Sequence, residues 1–262
     1  MLECVVNVSE GANEAVLTAL KNACAADLLD VHSDSDHNRS VFTLVGTDAP
    51  RHLTQATISA LSLPHHQGVH PRLGVVDVVP FVPLGDSTMD DALRARDEFA
   101  QWAGTELNIP CFLYGPERTL PFIRKNAWSS LVPDIGPRTT HPTAGAMCVG
   151  AREPLIAYNV WLEDVSLQRT KDIASLVRTE HIRTLGLQVG RFTQVSVNLV
   201  SPTIANPVDV VDAVKQHVSV HHCELVGLLP EEILHAIPQD RWEELDLAED
   251  RTIESRLQRR RG

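Results

Sequence analysis

An order of elements that occurs twice constrains this chain more than any single motif. Hydrophobic periodicity reads as strand–helix–strand–strand–helix–strand over residues 2–82. Apolar residues alternate over 2–8. Ala15, Val16, Ala19, Leu20 and Ala23 then recur at helical spacing. Strands over 28–31 and 41–45 flank the polar turn Asp34-Ser35-Asp36-His37-Asn38. A helix follows with Asp48 as its cap, Pro50 in its first turn, and Leu53, Ala56, Ala60 and Leu61 on one face. The run over 75–82 is apolar but for Asp77, which predicts a strand buried on both faces or close to it. The same order returns after residue 150. There is a strand over 155–162, a helix carrying Leu167, Ile173, Ala174 and Val177, and strands over 182–189 and 195–200. A helix opened by Pro207, a strand over 224–229 and a helix from Glu231 complete it.

This order is the split βαβ pattern of a ferredoxin-like unit. The residues do not repeat; only the order does. The expected fold is α+β, with one ferredoxin-like (βαββαβ) subdomain over 1–150 and a second over 151–262. The first half carries an additional helix, starting at the capping-box-like Ser87-Thr88-Met89-Asp90, and a short strand over 110–114. Residues 115–150 differ in character. They hold Pro116, Pro121, Pro133, Pro137 and Pro142 with Gly136, Gly145 and Gly150, so regular structure there should be short and broken. Such a segment is either a functional ordered loop or a connector.

A formal net charge of −11 argues against nucleic acid or an anionic membrane as a partner. The basic run Arg259-Arg260-Arg261 reads as a frayed end. No apolar run approaches the roughly 20 residues that span a bilayer. The first residues lack a basic signal-peptide region, so the expected location is cytoplasmic. Five scattered cysteines without a CxxC read as buried small hydrophobes in a reducing compartment.

The chemistry concentrates in residues 63–77. That stretch holds His65, His66, His70 and Arg72 between loop glycines and leads directly into the buried strand. Histidine exchanges a proton near neutral pH, and arginine offers a fixed fork of donors to a carboxylate. The pattern suggests acid–base chemistry on a small anion. Zinc is the alternative use of His65, His66 and His70, but Pro64, Gly68 and Pro71 oppose the helix that a His-x3-His pair needs. Asp77 interrupts the apolar strand, so it either faces solvent or is buried against an arginine or histidine. Asp30, His32, Asp34, Asp36, His37, Asn38 and Arg39 crowd one hairpin, as a polar turn or as the rim of a ligand site. Residues 136–145 form a loop of small and hydroxyl side chains suited to wrapping a flat ligand; it is neither a P-loop nor a GxGxxG turn.

In order along the chain, Glu3-Cys4-Val5-Val6-Asn7-Val8-Ser9-Glu10-Gly11, Leu28-Leu29-Asp30 and Asn38-Arg39-Ser40-Val41-Phe42-Thr43 are followed by Gly68-Val69-His70-Pro71-Arg72-Leu73-Gly74-Val75-Val76-Asp77. Leu113-Tyr114-Gly115, Pro133-Asp134-Ile135-Gly136-Pro137, His141-Pro142-Thr143-Ala144-Gly145 with Gly150-Ala151-Arg152, and Val195-Ser196-Val197-Asn198-Leu199 complete the set. Each piece is weak alone. The ordered set resembles the formiminotransferase domain found in formiminotransferase-cyclodeaminase and in separate glutamate formiminotransferases.

The resemblance implies transfer of a formimino group from N-formimino-L-glutamate to N5 of tetrahydrofolate, with folate as co-substrate and no metal. The family's catalytic histidine falls on His70. Substrate contacts are expected at Asp30, His32, Asn38, Arg39, Arg72 and Tyr114. The folate loop falls on Gly136, Pro137, Arg138, Thr139, Thr140, His141, Pro142, Thr143, Ala144 and Gly145. The family fold places a ligand groove between two ferredoxin-like subdomains, usually in a homodimer. The length leaves no room for a cyclodeaminase domain, so a separate cyclodeaminase is the expected downstream partner. A binding protein that keeps the folate loop without turnover is the alternative function.

Overall fold

The computed structural model describes residues 1–261. The chain divides into two compact units, Met1–Arg152 and Glu153–Gly262, each built on its own sheet. The first unit runs β1 (Leu2–Val8), α1 (Glu14–Ala23), β2 (Leu28–Asp34), β3 (Arg39–Val45), α2 (Ala49–Ala60), β4 (Val76–Pro83), α3 (Met89–Glu106), β5 (Cys111–Tyr114), α4 (Leu120–Asn126) and β6 (Met147–Ala151). Its six strands lie in the order β2-β3-β1-β4-β6-β5. The first four are antiparallel and ferredoxin-like. β6 is parallel to both β4 and β5 and fills the place between them.

One face of this sheet carries Cys4, Val6, Phe42, Leu44, Val79 and Phe81, packed with Leu17, Leu20, Leu53 and Phe99 of the first three helices. Strand alternation turns Asn7 and Arg39 to the other face. A smaller cluster of Val78, Phe112, Tyr114, Ile123 and Cys148 packs near β5 and β6. β4 is buried from Val76 through Val82, Asp77 included, as its predominantly apolar run leads one to expect.

The ladder between β1 and β4 contains the irregularity that matters most. Asn7 pairs with Val78 and Val8 with Val76, so Asp77 is one residue too many on its strand. A bulge of this kind re-aims a side chain out of the alternation of its strand.

The second unit runs β7 (Ile156–Leu162), α5 (Leu167–Leu176), β8 (Ile182–Val189), β9 (Phe192–Leu199), α6 (Pro207–Lys215), β10 (His222–Val226), α7 (Glu231–Ala236) and α8 (Ile253–Arg261). Its order β10-β7-β9-β8 is the same arrangement that β4, β1, β3 and β2 make in the first unit. The molecule is therefore α+β with two ferredoxin-like sheets. Tyr158, Val160, Val195, Val197, Ile173 and Val211 form the second core. The Tyr158 hydroxyl donates to the Leu245 carbonyl at 2.7 Å inside it.

Local chemistry decides the element ends. Asn13 accepts from the amides of Ala15 and Val16 at the start of α1. Thr88 and Asp91 close a capping box on α3, and Asn206 with Asp209 does the same on α6 ahead of Pro207. Two expectations need correction. Asp48 makes no side-chain cap on α2, because its backbone is already helical (φ −88°, ψ −39°) rather than extended. The strand Met147–Ala151 closes the proline-rich stretch and is central, since β4 and β5 supply its hydrogen bonds from both sides. The start of α8 is anchored: Ile253 is buried, Thr252 accepts from the Ser255 amide, and farther along Arg259 lies 3.8 Å from Asp250. Among the described residues no helix is long and apolar enough to cross a membrane.

Candidate active site

The first unit brings Arg39, His70 and Arg72, together with Arg124, to the surroundings of Asp77. The bulge and the buried strand leave this carboxylate with no exposure to solvent. Its Oδ1 accepts from the Leu73 amide at 2.7 Å and from Arg124 Nη1 at 2.7 Å. Its Oδ2 accepts from Arg39 Nη1 at 2.7 Å and from Arg124 Nη2. One acid thus fixes the start of β3, a turn of α4 and the end of the His70 loop. Burial works against the ionised acid, but Arg39, Arg124 and the Leu73 amide hold its carboxyl well below the usual range.

Arg72 is also committed, though to neutral groups. Its Nε and Nη2 donate to the His70 carbonyl at 3.1 and 2.8 Å. Nη2 reaches the His37 carbonyl at 3.0 Å and Nη1 the Asn38 carbonyl at 3.1 Å. Burial, then the charge of Arg39, push Arg72 down to about 10. It is a clamp that shapes the loop. Asn38 serves the same end from β3's entry turn. It stands at φ 45°, accepts from the Gly11 amide at 2.9 Å and donates to the Gln67 carbonyl at 2.8 Å.

His70 sits half-buried beside this cluster. Its Nδ1 lies 2.8 Å from the Pro71 carbonyl, which can only accept, so the ring proton is on Nδ1 and Nε2 carries the lone pair. Burial, followed by the charge of Arg39, pushes its pKa down to about 3. The ring is therefore neutral at physiological pH. Its centroid is 6.1 Å from that of His37. His66 lies against Arg72 and the Asn38 carbonyl, and burial and Arg72 lower its pKa. His65, His66 and His70 do not converge, and among the described residues no group of three or more His, Cys, Asp or Glu is placed to hold a metal. Cys148, the nearby thiol, is pushed up to about 12 by burial and by Asp77.

The glycine-rich loop meets the His70 loop edge to edge. The Leu63 amide donates to the Thr143 carbonyl at 2.7 Å, the Val75 amide to Ala144 at 2.9 Å, and the Ala146 amide to Leu73 at 2.9 Å. Gly145, at φ +75°, bridges to Gly74. His141 Nδ1 accepts from the Ala144 amide at 3.0 Å and turns the loop on itself. Arg138, Thr139, Thr140, Pro142 and Thr143 are exposed. Pro137 is half-buried, while Gly136 packs at Gly104 of α3.

The remaining candidates divide. Asp30 lies in register with Thr43 and Val5, and His32 with Val41 and Asn7. Both therefore share the sheet face that Arg39 occupies. Tyr114 stands apart on β5, beyond β6. Its ring covers Gly150, where a β-carbon would lie 2.1 Å from it. Burial raises its pKa. Arg124 was missed by sequence reasoning. Its helix has seven residues, too few for periodicity to show, and the available signal was Thr119 ahead of Leu120-Pro121.

The chain is similar to several known proteins. Residues 1–152 match the formiminotransferase domain, N-terminal subdomain. A glutamate formimidoyltransferase of Streptococcus pyogenes serotype M1 is 35% identical over 89% of this chain and 90% of its own length. One from Thermoplasma acidophilum is 32% identical over 89% of each. The formimidoyltransferase-cyclodeaminase of Rattus norvegicus is 32% identical over 88% of this chain but 50% of its own length. The match across the whole first unit and the relatives covered over about nine-tenths of their own length show that the chain belongs to the formiminotransferase family of enzymes.

Proposed function

We propose that the chain transfers the formimino group of N-formimino-L-glutamate to N5 of tetrahydrofolate, giving 5-formimino-tetrahydrofolate and glutamate, with His70 as the acid–base group. The observation that carries the reading is the placement of His70: its Nδ1 lies 2.8 Å from the Pro71 carbonyl, an arrangement that puts the ring proton on Nδ1 and leaves Nε2 as the base. The names of the full-length relatives support the reaction class.

The proton count closes on that one ring. N5 loses a proton as it bonds to the formimino carbon, and Nε2 takes it. The glutamate nitrogen gains one as its bond to that carbon breaks, and Nε2 returns it. A base with a pKa near 3 is weak, but the donor is an anion. Its carboxylates, entering beside Arg39 and Arg124, offset the charge of Arg39 and so raise the ring's pKa, while burial, the larger cause of the depression, still holds it below the ordinary value. Orientation of two substrates supplies much of the remaining acceleration. The loop over 136–145, stitched to the His70 loop, is the proposed folate cradle.

The resemblance also implies a cytoplasmic homodimer, for which sedimentation velocity is the direct measurement. A cyclodeaminase, the activity named beside formimidoyl transfer in the rat relative, would then process the product.

The test is a turnover assay with both substrates, following 5-formimino-tetrahydrofolate, on wild type and His70→Ala. Product from wild type and a loss of about 100-fold or more in the mutant support the assignment. Equal turnover removes His70 from the role; no product from wild type removes the reaction.

A further inference from the structure

Charge around Asp77 does not balance. Two guanidinium groups, Arg39 and Arg124, face one carboxylate. Arg72, close enough that both depress its pKa, is bonded to carbonyls and His66 and to no acid. Glu10, a further acid acting on the loop, already accepts from the amides of Ala12 and Asn13. This cationic spot lies in a protein of net charge −11, so it is not a background property of the surface.

The two arginines are held but not exhausted. Arg39 is more than nine-tenths buried, and Nη1 and Nε are engaged by Asp77 and by Asn7 at 3.2 Å. Its Nη2 meets no acceptor among the described residues. Arg124 gives both Nη atoms to Asp77; its Nε has no acceptor among the described residues, and its side chain keeps 19% exposure. A guanidinium fixed by one carboxylate is preorganised to take a second without further loss of side-chain freedom.

We propose that Arg124, cross-linked to Arg39 through the buried Asp77, is the specificity-determining anchor for a carboxylate of the one-carbon donor, and that Arg72 shapes the loop without touching it. The proposal rests on the reading of the donor as a dicarboxylate such as formiminoglutamate. Asp77 is a positioning residue: it holds both forks and keeps the pair from repelling.

The test uses Arg124→Gln and Arg124→Lys in the full chain. Arg124→Gln leaves Asp77 with Arg39 and the Leu73 amide, a balanced pair, so the variant should fold, which a melting curve checks. The expected result is a donor KM raised about tenfold or more in Arg124→Gln, with kcat within a few-fold and tetrahydrofolate affinity unchanged. Arg124→Lys keeps the charge without the fork and should recover only part of the loss. Wild-type donor KM in either variant would overturn the anchor. Calorimetric titration with glutarate reads the same site without turnover. Glutarate that binds wild type and loses affinity in Arg124→Gln supports the anchor even if formiminoglutamate is not the donor; equal binding to both overturns it. Failure of wild type to turn over formiminoglutamate overturns the functional reading alone.

Discussion

Gly145 approaches Leu73 so closely that a β-carbon on it would lie 2.2 Å from the Leu73 carbonyl oxygen. Two loops distant in sequence meet there with no room for a side chain. Gly145 also stands at φ +75°, which disfavours L-residues by about 1–2 kcal/mol. Gly145→Ala should therefore lower stability by at least that amount. It should also raise the KM of both substrates, because the two loops would part together. A melting temperature and both KM values equal to wild type would disprove the coupling.

His70 should stay neutral far into acid in the free protein. Its folded pKa is about 3, against roughly 6.5 for an unperturbed ring. Between these values the unfolded chain binds the additional proton. The stability this neutral ring confers is thus fully present above about pH 6.5 and is lost as pH falls toward 3. Titration of the His70 ring by NMR should show no protonation down to pH 5, and glutarate should shift its pKa upward. A ring that titrates near 6.5 without ligand would contradict the electrostatic account of the site.

Asp77→Asn removes the acid that two arginines share. Breaking a buried ion pair in this way costs about 3–5 kcal/mol. Because the folded carboxyl is held below its unfolded value near 4, its contribution is present above about pH 4 and is lost as pH falls further. Urea denaturation at pH 7 should show the destabilisation, and the wild-type fall in stability below pH 4 should flatten in the mutant. Unchanged midpoints would mean that the cluster carries little of the fold's stability.

In the second unit, Tyr158→Phe deletes the hydroxyl that donates to the Leu245 carbonyl and leaves that buried oxygen unpaired. The expected cost is about 1–3 kcal/mol. Turnover should be unaffected at temperatures where the protein is folded. A loss of kcat without a loss of stability would show that this core communicates with the chemistry.

The doubled strand order was legible because each strand and helix announces itself locally, and the order needs no long-range information. The histidine loop was legible for a related reason: its proline and glycine residues rule out a helix around His70. Asp77 was legible only as a choice, since an acid in an apolar strand calls for a partner without naming it. The sequence suggested Arg39 and Arg72 alike as carboxylate anchors. The structure commits Arg39 to Asp77 and Arg72 to backbone carbonyls, both partnerships being set by tertiary folding. Arg124 stayed hidden because a two-turn helix in a proline-rich stretch has no period to read. The register shift that aims Asp77 was equally invisible, because alternation is counted along one strand and a bulge exists only between two.

That register shift has a consequence for how such a site arises. Asp77 is aimed by an additional residue in β4 and not by the identity of its neighbours, so point substitution in a regular strand would not reproduce its placement. Deleting position 77 would run the ladder straight from Val76 to Val78 and give a tidier sheet. The protein would then have traded its chemistry for regularity.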